Sequence, residues 1–183
     1  MSTPLSAPES ARRLGLCCWL EQQAFSLLGS WVTEIPEPDA KLTVLEVAEH
    51  SAWRAQRWYE LLPTAPPGAD VLVTGIDALG PFFGAVAGAA GPGRSAEKLV
   101  VAEGLLTLID VVVADLEDRT APLAGADVRR ICGIARRDLA TDIARCRGLI
   151  EGIEAIGGDI TARMDHLRTL LGAASGPEIP SEI

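Results

Sequence analysis

The sequence contains few aromatic residues, few histidines and few lysines. Phe, Trp and Tyr make up only 4% of its 183 residues, so Ala, Leu, Val and Ile must supply most of the core. Such small aliphatic side chains favour closely packed helices over a β-sandwich. There are only two histidines, and neither a nucleophile-elbow motif nor a phosphate-binding loop motif occurs, which disfavours a hydrolase triad and a nucleotide site.

The cysteine pattern and the hydrophobic runs exclude further classes of protein. The four cysteines, Cys17, Cys18, Cys132 and Cys146, form no Cys-x-x-Cys pair and are expected to be free, buried and reduced. No basic segment followed by an apolar one opens the chain, and no uncharged apolar run reaches the length of about 18 residues that a membrane helix needs. We therefore expect a soluble protein of the cytoplasm.

The charge balance limits the partners. With 16 Lys and Arg against 25 Asp and Glu, the net charge is −9, which disfavours binding to a nucleic-acid backbone or to an anionic membrane. A homodimer, another protein partner or a small-molecule ligand remain as expectations.

Helical periodicity, helix caps and helix breakers predict a single all-α domain. Residues 1–8 are expected to be a disordered lead-in, residues 9–173 the domain and residues 174–183 a loose tail. Residues 64–94 are rich in Gly, Ala and Pro, and this connection is long enough to cross a bundle from end to end. The predicted helices run from about Glu9 to Val32, Asp39 to Leu62, Ser95 to Asp118, Asp127 to Ile156 and Asp159 to Leu171.

Some carboxylates occupy helix positions that normally carry apolar residues. The residues of each predicted helix can be placed on a helical wheel at about 100° per residue. Glu21 then falls in the centre of the apolar stripe of the first helix, and Asp142 falls in the middle of the apolar stripe of the fourth helix. Glu49 and Glu103 lie at the edge of the apolar arcs of the second and third helices. A buried carboxylate persists only when it is paired, protonated or bound to a metal, so these four acids are the candidate site.

The second helix has the least distinct pattern. Its apolar arc is predicted to contain the small residues Ala48, Ala52 and Ala55 together with Leu42, Leu45 and Tyr59. Four charged or titratable residues are expected further out, on the polar side: Glu46, His50, Arg54 and Arg57.

One inward acid on each of four helices, arranged as two pairs with a long crossover, resembles the ferritin-like superfamily of carboxylate-bridged di-iron and di-manganese proteins. The resemblance covers about residues 9–156 and implies an antiparallel four-helix bundle, with iron or manganese as cofactor. It implies Glu21 and Glu103 as the first-helix and third-helix ligands, and Glu49 and Asp142 as the second-helix and fourth-helix ligands.

The chain departs from this pattern where the superfamily has two histidines. Ala52 and Arg145 stand three residues after Glu49 and Asp142, where the superfamily carries His. His50 remains as an additional candidate ligand. Because a guanidinium can neutralise buried carboxylates, Arg145 is expected to replace the cation between Asp142 and Glu21.

The departures favour a ferritin-like bundle whose di-metal site is altered or lost. Two other functions stay open: an active di-iron or di-manganese protein of redox or oxygenase type, and a non-catalytic module for dimerisation or for binding a small molecule. Whether the chain is an enzyme is left undecided by the sequence.

Overall fold

A computed structural model describes residues 4–66, 68–80, 82, 83, 86, 94–123 and 125–154. The predicted helix Asp159–Leu171 and the predicted tail lie outside these residues. Within them every element of regular secondary structure is helical and there is no strand, which confirms the predicted all-α class. The helices are α1 (Ala7–Trp31), α2 (Pro38–Glu60), a short α3 (Ala69–Leu72), α4 (Ser95–Arg119) and α5 (Ala126–Glu154), with a 3₁₀ turn at Asp77–Leu79.

Helix α1 begins at Ala7 because Ser6 caps it. The Ser6 N–H donates to Glu9 Oε2 at 2.8 Å, and the Glu9 N–H donates to Ser6 Oγ at 3.4 Å, which is a reciprocal capping box. The Leu5 N–H donates to the Arg119 carbonyl at 3.0 Å. Leu5 and Ser6, which fall in the predicted lead-in, make these bonds, and Ala7 and Pro8 belong to α1.

The contacts near the helix ends define the relative directions of α1, α2 and α4. Arg13, early in α1, donates to Asp115, late in α4, at 2.5 Å, so these two helices are antiparallel. Lys98 in the first turn of α4 contacts Glu34 just after α1, with Nζ 2.7 Å from Oε2. Ser95 bonds Glu37, the residue before α2.

Helices α2 and α4 consequently begin at the same end of the molecule, and residues 61–94 lead the chain back to that end. Helix α1 packs between α2 and α4, and α5 packs between α4 and α2. The space between them is filled mainly by aliphatic side chains from all four long helices, including Leu20, Leu28, Val44, Val47, Leu99, Leu105, Leu106, Ile109, Leu116, Leu139 and Ile150.

The connection between α2 and α4 packs closely against α1. The Leu72 carbonyl lies so near Gly15 that a Cβ on this glycine would stand 1.8 Å from the oxygen. Four residues along α1, the ring of Trp19 meets Phe83 edge to face, with 5.5 Å between ring centroids. Glycine at position 15 is thus required by the close approach of two backbones.

Helix α2 buries a different face from the predicted one. Its buried residues include Val44, Val47 and Trp58, whereas Leu42 and Tyr59 are exposed. The helix carries apolar residues around most of its circumference. The face that holds Trp58 packs inward, because burying this large side chain contributes more free energy than burying the smaller ones. This rotation places Arg54 inside the molecule.

Candidate functional site

Glu21 of α1 and Asp142 of α5 both lie in the interior, as their helix positions predicted. Each residue is fully buried, with 0% of its surface exposed. Helices α1 and α5 face each other across the centre of the molecule, with α2 beside both. The side chain that joins the two acids comes from α2.

Arg54 bridges the two carboxylates. Its Nε donates to Glu21 Oε1 at 2.7 Å and its Nη2 to Glu21 Oε2 at 3.2 Å, which is the two-pronged geometry that a guanidinium forms with a carboxylate. Its Nη1 donates to Asp142 Oδ2 at 3.1 Å, and Nη2 also donates to Ser51 Oγ at 3.2 Å. The guanidinium, which is 0% exposed, thus has all three nitrogens engaged.

His50 connects this cluster to the surface. Its Nδ1 lies 2.9 Å from Asp142 Oδ1, and 48% of its side chain is exposed. We call Glu21, Ser51, Arg54, Asp142 and His50 the interior network. The interior network is therefore exposed to solvent at the imidazole of His50.

The interior network contains two carboxylates and one guanidinium, so one negative charge is not balanced by Arg54. Burial raises the pKa of Glu21, while Arg54 and Ser51 partly offset this effect. Burial also lowers the pKa of Arg54, but the two carboxylates raise it by more. Arg54 therefore stays protonated, and Glu21 is the carboxylate that burial drives towards its neutral form.

Arg145 does not take the predicted place between Asp142 and Glu21. It pairs with Glu46 at the surface, where both side chains are nearly half exposed. Arg145 comes three residues after Asp142, which turns its side chain about 60° around α5 to the solvent side. Arg54 projects inward from α2. The cation between the two acids is Arg54 of α2 and not the predicted Arg145.

The other predicted metal ligands lie apart from the interior network. Glu103 of α4 accepts two hydrogen bonds from Arg147, from Nε at 2.9 Å and from Nη2 at 2.7 Å. Glu49 is exposed on the outer side of α2. Of the five candidates, the structure brings together Glu21, Asp142 and His50. Within the described residues, no group of three or more His, Cys, Asp and Glu side chains is arranged to hold a metal ion.

The acidic row of α4 is satisfied by arginines of α5. Arg136 bonds Asp110 at 3.1 Å and Glu117 at 3.2 Å, and Glu103 has its bond to Arg147. Glu103, Asp110 and Glu117 stand seven residues apart. Their partly exposed ion pairs line the contact between α4 and α5.

Sequence reasoning missed Arg54 and Ser51 because it placed the wrong face of α2 inward. A signal was present in the sequence. Val47, Ser51, Arg54 and Trp58 follow one another at intervals of three or four residues, which defines one helix face. Reading that face as the buried one would have found the arginine opposite the two acids.

The cysteines offer no nucleophile. All four are free and buried, as predicted. Burial raises the pKa of Cys18 to about 11 and those of Cys132 and Cys146 to about 12, and it raises that of Cys17 as well. Thiols in this state pack as small apolar groups.

An open groove lies on the outer side of α1 and α2. Its volume is about 340 Å³, and the exposed aromatic rings of Phe25 and Tyr59 stand over it. The remaining lining residues are Gln22, Ala52, Ala55 and Gln56.

None of the helices in the described part of the chain has the length and hydropathy of a membrane-spanning segment. Comparison of the sequence with protein-family models and with curated proteins, and of the structure with solved structures, finds no match.

Proposed function

We propose that this chain is a ferritin-like bundle in which Arg54 stands where proteins of that superfamily hold a metal pair, and that it acts as a non-catalytic binding module. The observation that carries the proposal is the engagement of all three guanidinium nitrogens with Glu21, Asp142 and Ser51. A bundle whose central cation is an arginine has no redox-active or Lewis-acidic group at that position.

The helix arrangement supports the ferritin-like part of the proposal. Helices α1 and α2 form one antiparallel pair and α4 and α5 another, and the connection between the pairs returns the chain to the end where α2 begins. That plan, with one long crossover, is typical of ferritin-like folds.

The residues present do not fit a di-metal centre. Such a centre needs carboxylate lone pairs and histidine nitrogens directed at two ions, and here an oxygen of Asp142 and both oxygens of Glu21 accept from Arg54. Glu49 and Glu103, the other two carboxylates of the pattern, do not join them.

Metal analysis of the purified full chain tests the proposal. Protein produced with added iron or manganese should contain far less than one equivalent of either metal, and its thermal midpoint should not change on treatment with a chelator. Two equivalents per chain, lost with activity or stability on chelation, would overturn it.

Binding of a small molecule is a second candidate function, and the groove between α1 and α2 favours it. Phe25 and Tyr59 provide apolar area, and Gln22 and Gln56 provide amide donors and acceptors, which is the usual composition of a ligand site. A thermal-shift screen comparing the natural chain with Phe25→Ser tests this: a compound that raises the midpoint only of the natural chain supports groove binding.

We also propose the cytoplasm as the location and a second copy or another protein as the partner. Four free cysteines suit a reducing compartment, where disulfides do not persist. Sedimentation analysis of the purified chain tests the oligomeric part.

A further inference from the structure

The groove on the outer side of α1 and α2 presents an aromatic ring towards each of its ends. Cys18 Sγ of α1 donates to the Ala55 carbonyl of α2 at 3.4 Å. Because the two helices are antiparallel, Phe25 lies further towards the start of α2, whereas Tyr59 lies towards its end. Both rings are exposed. The face of an exposed ring carries a negative potential that attracts cations.

The polar side chains of the groove already use donors within the protein. Tyr59 Oη donates to Asp70 Oδ1 at 2.7 Å, and Gln56 Nε2 donates to Glu60 Oε1 at 3.1 Å. Gln22 Nε2 donates to a cysteine sulfur of α1 at 3.6 Å. The phenol oxygen and the two amide oxygens keep lone pairs that accept hydrogen bonds. The groove therefore has more capacity to accept hydrogen bonds from a ligand than to donate them.

The charge next to the groove is negative. Its six lining residues are uncharged, but Asp70 and Glu60 are bonded to two of them. Glu49 lies on α2 three residues before Ala52, the first lining residue of that helix. All three carboxylates are exposed. A cationic ligand is complementary to this surface, whereas an anionic ligand is repelled by it.

The chain itself contains a contact between a cation and an exposed ring. The guanidinium of Arg57 lies over Trp53, 5.8 Å from the ring centroid, on a part of α2 that does not line the groove. Arg57 also pairs with Glu60 at 2.7 Å and so offsets part of its charge. Among the described residues, the rings of Phe25 and Tyr59 have no cation over them.

We propose that the groove binds a primary organic ammonium ion with an apolar body. The ammonium group donates to the free acceptor oxygens and lies against a ring face, and the apolar body covers Ala52 and Ala55 between the rings. This inference rests on groove binding, the second candidate function, and adds the chemical class of the ligand to it. It is independent of the interior network.

Three probes of similar shape and different charge test the proposal on the full chain by titration calorimetry. They are 2-phenylethylamine, which is protonated at neutral pH as a lysine side chain is, the neutral 2-phenylethanol and the anionic phenylacetate. We expect the ammonium ion to bind about five to ten times more tightly than the alcohol, because a charge-assisted hydrogen bond is about twice as strong as a neutral one. Phenylacetate should bind most weakly.

Phe25→Leu tests the contribution of the ring. The change keeps an apolar side chain but removes the ring face, so the affinity for 2-phenylethylamine should fall about two- to fivefold. Trp53→Leu is the matched control, because it removes an exposed ring that does not line the groove. Its affinity should equal that of the natural chain.

Asp70→Asn tests the contribution of charge. The asparagine keeps an acceptor for the Tyr59 hydroxyl and removes the negative charge, so it should weaken binding of the ammonium ion several-fold and leave that of the alcohol unchanged. Asp39→Asn is the control. Asp39 is also exposed, and it precedes Tyr59 on α2 by 20 residues, which is about 30 Å.

Three results would overturn the proposal. If the alcohol binds as tightly as the ammonium ion and both bind Phe25→Leu less well, the groove binds small molecules without selecting a cation. If the ammonium ion binds Phe25→Leu and Asp70→Asn as well as it binds the natural chain, it is attracted only by the net negative charge of the surface. If none of the probes binds, groove binding fails as a function together with the proposed ligand class.

Discussion

Arg54 and Glu21 form a two-pronged ion pair that is wholly inside the protein. The Nε–Oε1 distance is 2.7 Å and neither side chain is exposed. In such a pair the mutual attraction mostly offsets the cost of removing two charges from water. The intact pair therefore changes the free energy of unfolding little, whereas removing one partner lowers that free energy strongly.

Arg54→Met should strongly destabilise the fold. The change leaves Glu21 and Asp142 buried without their cation, and breaking a buried pair in this way costs about 3–5 kcal/mol. Urea unfolding followed by circular dichroism measures the effect. The matched control is Arg145→Met, whose surface pair contributes about 1 kcal/mol or less. If the two variants lose the same stability, Arg54 is not the main counter-cation.

Replacing the three charges together should restore the fold. The triple variant Glu21→Leu, Arg54→Met and Asp142→Leu removes the buried charges and fills the space with apolar groups, a change that ranges from neutral to stabilising in other proteins. Its unfolding free energy should lie within about 1–2 kcal/mol of the natural chain's, or above it. A triple variant as unstable as Arg54→Met would show that the network is needed for more than charge balance.

Stability should depend on pH through Glu21. Its pKa is raised in the folded state by burial, so the folded chain holds this proton more tightly than the unfolded chain does. The stabilisation from that proton is complete below the unfolded value of about 4.3. It is lost as the pH rises through the folded pKa.

Comparison with Glu21→Gln measures this dependence. The unfolding free energy of the natural chain, relative to that of the variant, should decrease as the pH is raised from about 4 through the folded pKa of Glu21. A difference that increases over this range would mean that Arg54 depresses the pKa of Glu21 and that the direction assigned here is wrong.

Gly15→Ala should be destabilising although alanine favours helices. The added Cβ would lie 1.8 Å from the Leu72 carbonyl oxygen, so the connection would have to move away from α1. Gly148→Ala is the control, because nothing lies within 4 Å of a Cβ at that helical position. It should raise the unfolding free energy by about 0.5–1 kcal/mol. Thermal unfolding compares the two, and a stabilised Gly15→Ala would show that the connection yields without cost.

The cysteines should not react in the folded protein. Since all four are buried and their pKa values are raised, a chromogenic disulfide reagent at neutral pH should detect no thiol in the native chain and all four in denaturant. Rapid reaction of one native thiol would identify a cysteine that the interior does not protect.

The sequence was most informative where a polar residue interrupts a clear stripe. Glu21 and Asp142 could be placed inside because each falls in the middle of the apolar stripe of its helix, with apolar residues one turn before and after it. Helix α2 is apolar on both its inner and its outer face, so periodicity alone could not decide between them. The decision came from tertiary packing, in which Trp58 fills the core and Arg54 reaches the two acids.

The resemblance to ferritin-like proteins had a related limit. The superfamily pattern places histidines on the second and fourth helices, and this chain has Ala52 and Arg145 at those positions, so Arg145 was the predicted counter-cation. The helix pattern could not show which arginine reaches the acids, because that depends on how α2 is rotated about its own axis. The ion pairs of Glu103 with Arg147 and of Glu46 with Arg145 also could not be predicted from single helices, because each joins two helices.

The bond from Arg54 to Asp142 joins the two helical hairpins, since α1 and α2 supply Glu21 and Arg54 while α5 supplies Asp142. Each hairpin therefore supplies what the other lacks. The α4–α5 hairpin provides an acceptor for the third guanidinium nitrogen, and the α1–α2 hairpin provides a cation for Asp142. A foreign hairpin of equal shape but without an acid at this level would leave a donor unsatisfied, so the pairing is chosen by chemistry as well as by fit.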